Sequence, residues 1–217
     1  MKTKFLDGLK AFYLHYFKFP KYVLFHPFDG YDELKRYKKG KMSVAFVFIT
    51  LYAFFRIFTY QREGFLINDR NPLHLNSLQE IFAVILLLVL FTVGNWSVTT
   101  LMEGKGKFKE IIMVTGYSLF PLILIGYPAV ILSNFLTLEE MALYQLLMGA
   151  AYVATGWMLF MGILNIHEYG LGKTILAFIA TAVAMAAMIF FGLLFFDLIQ
   201  QVIEFFSSIY EELSLRY

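Results

Sequence analysis

The charged residues that sit inside or against apolar stretches are the ones best placed to do chemistry. Arg56 falls within the apolar run 43–60 and Asp197 within the run 174–203. Ionisable groups at membrane depth are costly. They pair with one another or line water-filled paths that relay protons or ions. Both residues lie towards the same end of their runs, so they are able to pair, or Arg56 can snorkel its guanidinium to the headgroups. A relay needs a further acid or histidine beside them at mid-depth, and the runs supply none. A structural role, as a pair or by snorkelling, is therefore the expectation for both.

The remaining reactive residues form no catalytic set. His15, His26, His74 and His167 are spread over arms and loops without metal-ligand spacing, and His167-Glu168 is not the i, i+4 pair of a zinc helix. The chain has no cysteine, which excludes thiolate metal sites, disulfides and a cysteine nucleophile. Glu139-Glu140 is followed by Tyr144, where the paired-glutamate motif of intramembrane prenyl-protein proteases requires arginine. Gly104-Lys105-Gly106-Lys107 is too short to cradle phosphate, and no Gly-x-Ser-x-Gly elbow or dinucleotide fingerprint occurs. The expectation is a non-enzymatic protein with no catalytic, metal or cofactor site, and with its basic residues on lipid rather than nucleic acid.

Polar residues at helix ends and helix-breaking residues make up the other candidates. Asn95 and Asn134 suit interhelical hydrogen bonds. Trp96 suits either the headgroup level or packing against the broken third span. Gly116-Tyr117-Ser118-Leu119-Phe120-Pro121 and Gly126-Tyr127-Pro128 interrupt one apolar run. Such breaks are tolerated where neighbours or water satisfy the freed backbone groups, which places this span at the centre of a bundle. Broken spans also build transporter sites, so Tyr117, Ser118 and Tyr127 are the candidate lining of a small cavity.

The elements that must position these residues follow from composition. The chain is 59% hydrophobic and 16% charged, against roughly 45–50% and 25% for soluble domains. Apolar runs at about 43–60, 81–102, 111–135, 142–165 and 174–203 predict an all-α bundle of five transmembrane helices. Ten of the 18 Lys and Arg residues lie in positions 1–41, with three more in the turn Glu103–Glu110 and one in the 166–173 loop. The opposite loops and tail hold three, which predicts a cytoplasmic N-terminus and an outside C-terminus.

Before the first span, Phe5, Leu9, Phe12, Tyr13, Tyr16 and Phe17 alternate with Lys4, Lys10 and Lys18. That pattern predicts an interfacial amphipathic helix that prefers anionic headgroups and is ended by Pro20. The segment His26-Pro27-Phe28-Asp29-Gly30-Tyr31 reads as a turn. Ala150/Ala154, Ala180/Ala184 and Ala182/Ala186 have the spacing of close helix contacts, within the bundle or in a homo-oligomer. The organisation is then a basic arm at 1–41, a membrane domain at 42–203 and an amphipathic tail at 204–217.

Three landmarks resemble bacterial members of the Yip family of five-span membrane proteins. They are the turn at His26–Tyr31 before a basic segment, Asn95-Trp96 followed by the charged turn from Met102, and Gly116-Tyr117 with Pro121 opening the third span. The resemblance runs from about residue 20 to 203. Eukaryotic members reside in endoplasmic reticulum and Golgi membranes and associate with small GTPases and coat machinery through longer N-terminal regions. Bacterial relatives resemble accessory proteins of ABC transport systems, and the family implies no catalytic residues.

The resemblance implies an accessory or assembly protein of a bacterial cytoplasmic membrane, bound to a membrane protein such as an ABC transporter subunit. The alternatives are a small transporter or channel built on the broken third span, and a membrane-shaping or trafficking factor.

Overall fold

A computed structural model describes residues 12–71 and 74–215, and among these the ordered elements are all helices. Phe5, Leu9, Lys4 and Lys10 of the amphipathic arm lie outside the described residues. The arm enters as a π-helical turn, Leu14–Lys18, and passes directly into α1 (Phe19–Phe25). Pro20 therefore does not end the arm helix. It lies in the first turn of α1, and the helical backbone runs through it from the π turn.

The expected turn at His26–Tyr31 is instead the start of α2 (Pro27–Arg36), with Pro27 at its first turn. A methyl group on Gly30 would stand 2.8 Å from the Val23 Cα, so only glycine lets α2 cross α1 this closely. Tyr31, the next residue, is fully buried.

Five helices long and apolar enough to cross a membrane follow. They are α3 (Met42–Arg62), α4 (Ser77–Leu101), the pair α5 (Phe108–Ser118) and α6 (Phe120–Leu132), α7 (Met141–His167) and α8 (Leu171–Ser214). A short 3-10 turn, Leu138–Glu140, leads into α7. At about 1.5 Å per residue a 21-residue helix such as α3 just crosses the ~30 Å hydrocarbon layer. At 44 residues α8 is about twice as long as a crossing requires.

The broken span forms the centre, as the glycines and prolines indicate. α5 packs on α3, α4 and α7, while α6 packs on α7 and α3. Tyr117 is enclosed edge-on between Phe19 and Phe48, which seats the arm against the bundle. Gly116 lies on the backbone of Ala45, where an added methyl would meet the Ala45 Cα at 2.7 Å. α2 packs on α7, and α8 packs mainly on α4. From Ile189 to Leu215 every residue of the chain's last helix and cap is exposed.

Candidate functional site

In the broken span, Leu119 separates α5 from α6. The hydroxyls expected to line a cavity are engaged within the chain. The Tyr117 hydroxyl accepts the Lys41 N–H at 3.1 Å, capping the entry to α3. Ser118 donates to the Thr115 carbonyl at 2.7 Å, and Tyr127 donates to the Leu51 carbonyl at 3.0 Å. Pro121 lies in the first turn of α6, and Pro128 is inside it. This span fastens α3 to the centre of the bundle.

At the end of the bundle away from the lysine-rich loops, Arg56 lies 3.2 Å from the Glu80 carboxylate on α4. Asp197, which the sequence left able to pair with Arg56, is exposed on the distal part of α8. Glu63 accepts from Arg70 at 2.8 Å and from the Tyr144 hydroxyl. Arg56, Glu63, Arg70 and Tyr144 border a cavity of about 320 Å³ floored by Phe55 and Met148. Asn134 donates to the Arg62 carbonyl at 2.7 Å, tying the end of α6 to the end of α3. Asn95 donates to the Thr181 hydroxyl at 3.1 Å, joining α4 to α8, and Trp96 packs edge-on against Phe108 at the head of the broken span.

The lysine-rich end holds a tighter arrangement. α7 ends in a Schellman turn, in which the Tyr169 N–H reaches the Leu164 carbonyl and the Glu168 N–H reaches Asn165. The left-handed position belongs to Glu168, with φ 55°, where glycine is usual. A carboxylate at a helix C-terminus also opposes the helix dipole. Both costs are offset because Glu168 accepts from Lys105 at 2.7 Å and from Lys35 at 2.9 Å. These two hydrogen bonds, Lys105 first, lower its carboxyl to about 2.

One carboxylate thus joins α2, the α4–α5 loop and the α7–α8 loop. Beside it, the His167 ring accepts the Gly106 N–H and stacks on Tyr169, whose hydroxyl reaches the Thr99 and Met102 carbonyls. Burial, then the charge of Glu103, raises the Tyr169 phenol. Asn165 donates to the Phe28 carbonyl at 2.6 Å, closing the arm onto α7.

Sequence reasoning missed Glu63, Glu80, Tyr144 and the role of Glu168. Gly170, just beyond His167-Glu168, carried a weak signal, since glycine is common after a helix C-terminus. A second groove at this end, of about 410 Å³, lies between the π turn and α2 and is bordered by His15, Lys18, Lys39 and Tyr22. Burial, and then Lys41, lowers the His15 imidazole.

No curated protein and no solved structure matches this chain. The Yip1 domain pattern matches residues 21–195, from α1 through the packed part of α8. That match covers all five spans, and so the chain is a multi-pass membrane protein that belongs to the Yip1 domain family.

Proposed function

We propose that this protein is a non-enzymatic membrane accessory factor that holds another membrane protein, with subunits of an ABC transport system as its partner. The observation that carries this reading is the block of elements joined by Glu168 at the lysine-rich end. Around it the side chains of Lys38, Lys41, Lys107 and Lys109 are exposed, as are Phe12, Tyr13 and Phe17 of the arm. Cations and aromatic rings on a pre-ordered surface bind an acidic partner with little further ordering cost. The arm rests on anionic headgroups and the cationic loops face the partner. With the excess of Lys and Arg taken as the inside signal, this reading sets the face on the cytoplasmic side of a bacterial membrane.

The test is affinity purification in mild detergent at native expression, with co-purifying proteins identified by mass spectrometry. ABC transporter subunits recovered in fixed ratio, and lost in a Lys107→Glu, Lys109→Glu variant, support the reading. Recovery of the protein with no stoichiometric membrane partner sinks it. Weight then moves to a transporter using the broken span, tested by solute flux in Tyr117→Phe and Tyr127→Phe variants.

A further inference from the structure

We infer that the projecting half of α8 is covered by the same helix from another copy of this chain, in a parallel assembly. In the packed half, Phe178 meets Phe91, Thr181 bonds Asn95, and Met185 and Met188 lie over Gly94. With the buried Thr174 these residues recur at alternating steps of four and three, the spacing of a helix–helix seam. The same alternation continues without a slip through Gly192, Phe195, Ile199, Val202, Phe206, Ile209 and Leu213. α4 covers the stripe only as far as Met188, and beyond it Phe195, Val202 and Phe206 are 54–66% exposed. Asp197, Gln200, Glu204, Ser207 and Glu211 form the opposite stripe.

Three observations choose a second copy over the bilayer surface. The helix is continuous from Leu171 to Ser214 and contains no proline, so nothing bends the distal half down onto a membrane. Residues 195–215 carry four acidic and no basic side chains, the reverse of the lysine-rich polar face that suits a headgroup plane. The strict 4–3 spacing belongs to helix seams, whereas lipid asks only for an apolar side.

Membrane insertion supplies the geometry. Copies in one bilayer emerge in the same direction and at the same height, so identical seam residues meet in register without any other device. The flanking Phe196, Leu198, Ile203 and Phe205 widen the apolar face and suit an assembly in which each helix touches two neighbours.

The chain has no cysteine, which makes disulfide mapping direct. Val202→Cys and Ile209→Cys on the seam, and Gln200→Cys and Ser207→Cys opposite, are expressed singly in the full-length protein and oxidised in native membranes. All four positions are exposed, so the variants keep the fold. The seam variants are expected to give a disulfide dimer, at roughly tenfold the yield of the opposite pair, because a bridge needs Cα atoms within about 7 Å.

No seam dimer, equal dimer from both faces, or seam cysteines shielded from aqueous maleimide without dimer formation would each overturn the inference. Cross-linking of the seam to a different protein also overturns it. None of these outcomes depends on which partner docks at the lysine-rich end. As a second measurement, a Val202→Asp, Phe206→Asp variant is expected to run as a single chain in native mass spectrometry, where the wild type runs as a multiple.

Discussion

The Arg56 guanidinium and the Glu80 carboxylate meet at 3.2 Å, across the hairpin that joins the first two spans. Arg56 stands two turns before the end of α3, and Glu80 is in the first turn of α4, where a carboxylate also favours the helix dipole. The positive charge in the first span is therefore answered by its neighbour in the chain. Asp197, 141 positions further on than Arg56, plays no part in this pair.

This relationship predicts that Arg56→Met and Glu80→Gln each lower stability by about 1 kcal/mol, the usual range for a partly exposed pair. Exchanging the two residues is expected to recover part of the loss, since arginine at position 80 opposes the dipole of α4, and Asp197→Asn to change nothing. Thermal unfolding in detergent reads all four variants. An Asp197 variant as unstable as the Arg56 variant would contradict the pairing.

Glu168 predicts a pH dependence. Its carboxyl is lowered from 4.5 to about 2 in the folded chain by Lys105 and Lys35. A lowered carboxyl stabilises the fold above the unfolded value, and that contribution fades as pH falls from about 4.5 towards 2. Glu168→Gln is therefore expected to be less stable than wild type at pH 7, with the gap narrowing steadily between pH 5 and pH 3. A gap that stays constant over that interval would show that the left-handed turn, rather than the charge, is what the variant disturbs.

The parts of this fold that were legible are those written locally. Five apolar runs and a Gly/Pro-broken third run gave five spans with the broken one at the centre, because span length and tolerance of prolines depend on the surrounding solvent. What the sequence hid depends on distant partners. The Glu168–Lys35 bridge links residues 133 positions apart, and Tyr31 is buried because Gly162 of α7 leaves room for its ring.

Two misreadings came from treating proline and glycine as punctuation. Pro20 and Pro27 both start helices, and Gly30 is a crossing point. The partner of Arg56 was missed for a simpler reason. The second apolar run starts at residue 81, one position after Glu80, whereas the helix begins at Ser77.

Glycines at contacts and glycines in the open should separate cleanly. Gly116→Ala places a methyl 2.6 Å from the Ala45 Cβ and 2.7 Å from its Cα, and backbone cannot swing aside, so a loss of about 1–3 kcal/mol is expected. Gly149→Ala and Gly156→Ala on α7 meet nothing within 4 Å. These two should be neutral or gain up to about 1 kcal/mol from helix propensity. Unfolding of the three single variants side by side tests the placement of α5 against α3; equal effects would refute it.

The hydrogen bond from Asn95 to Thr181 fixes where α8 is anchored. Asn95 is wholly buried, and its amide donates at 3.1 Å to a hydroxyl that itself donates back to the Ala177 carbonyl. Thr181→Val removes the acceptor and strands the amide, while Asn95→Ala leaves Thr181 its bond within the helix, so the losses should be unequal, with their double-mutant coupling near 0.6 kcal/mol as for other interhelical bonds in membranes. Since α4 is the main surface against α8, weakening this bond should also speed hydrogen exchange in residues 174–188 ahead of the rest of the bundle. Uniform exchange across all five spans would mean that α8 does not open as a separate unit.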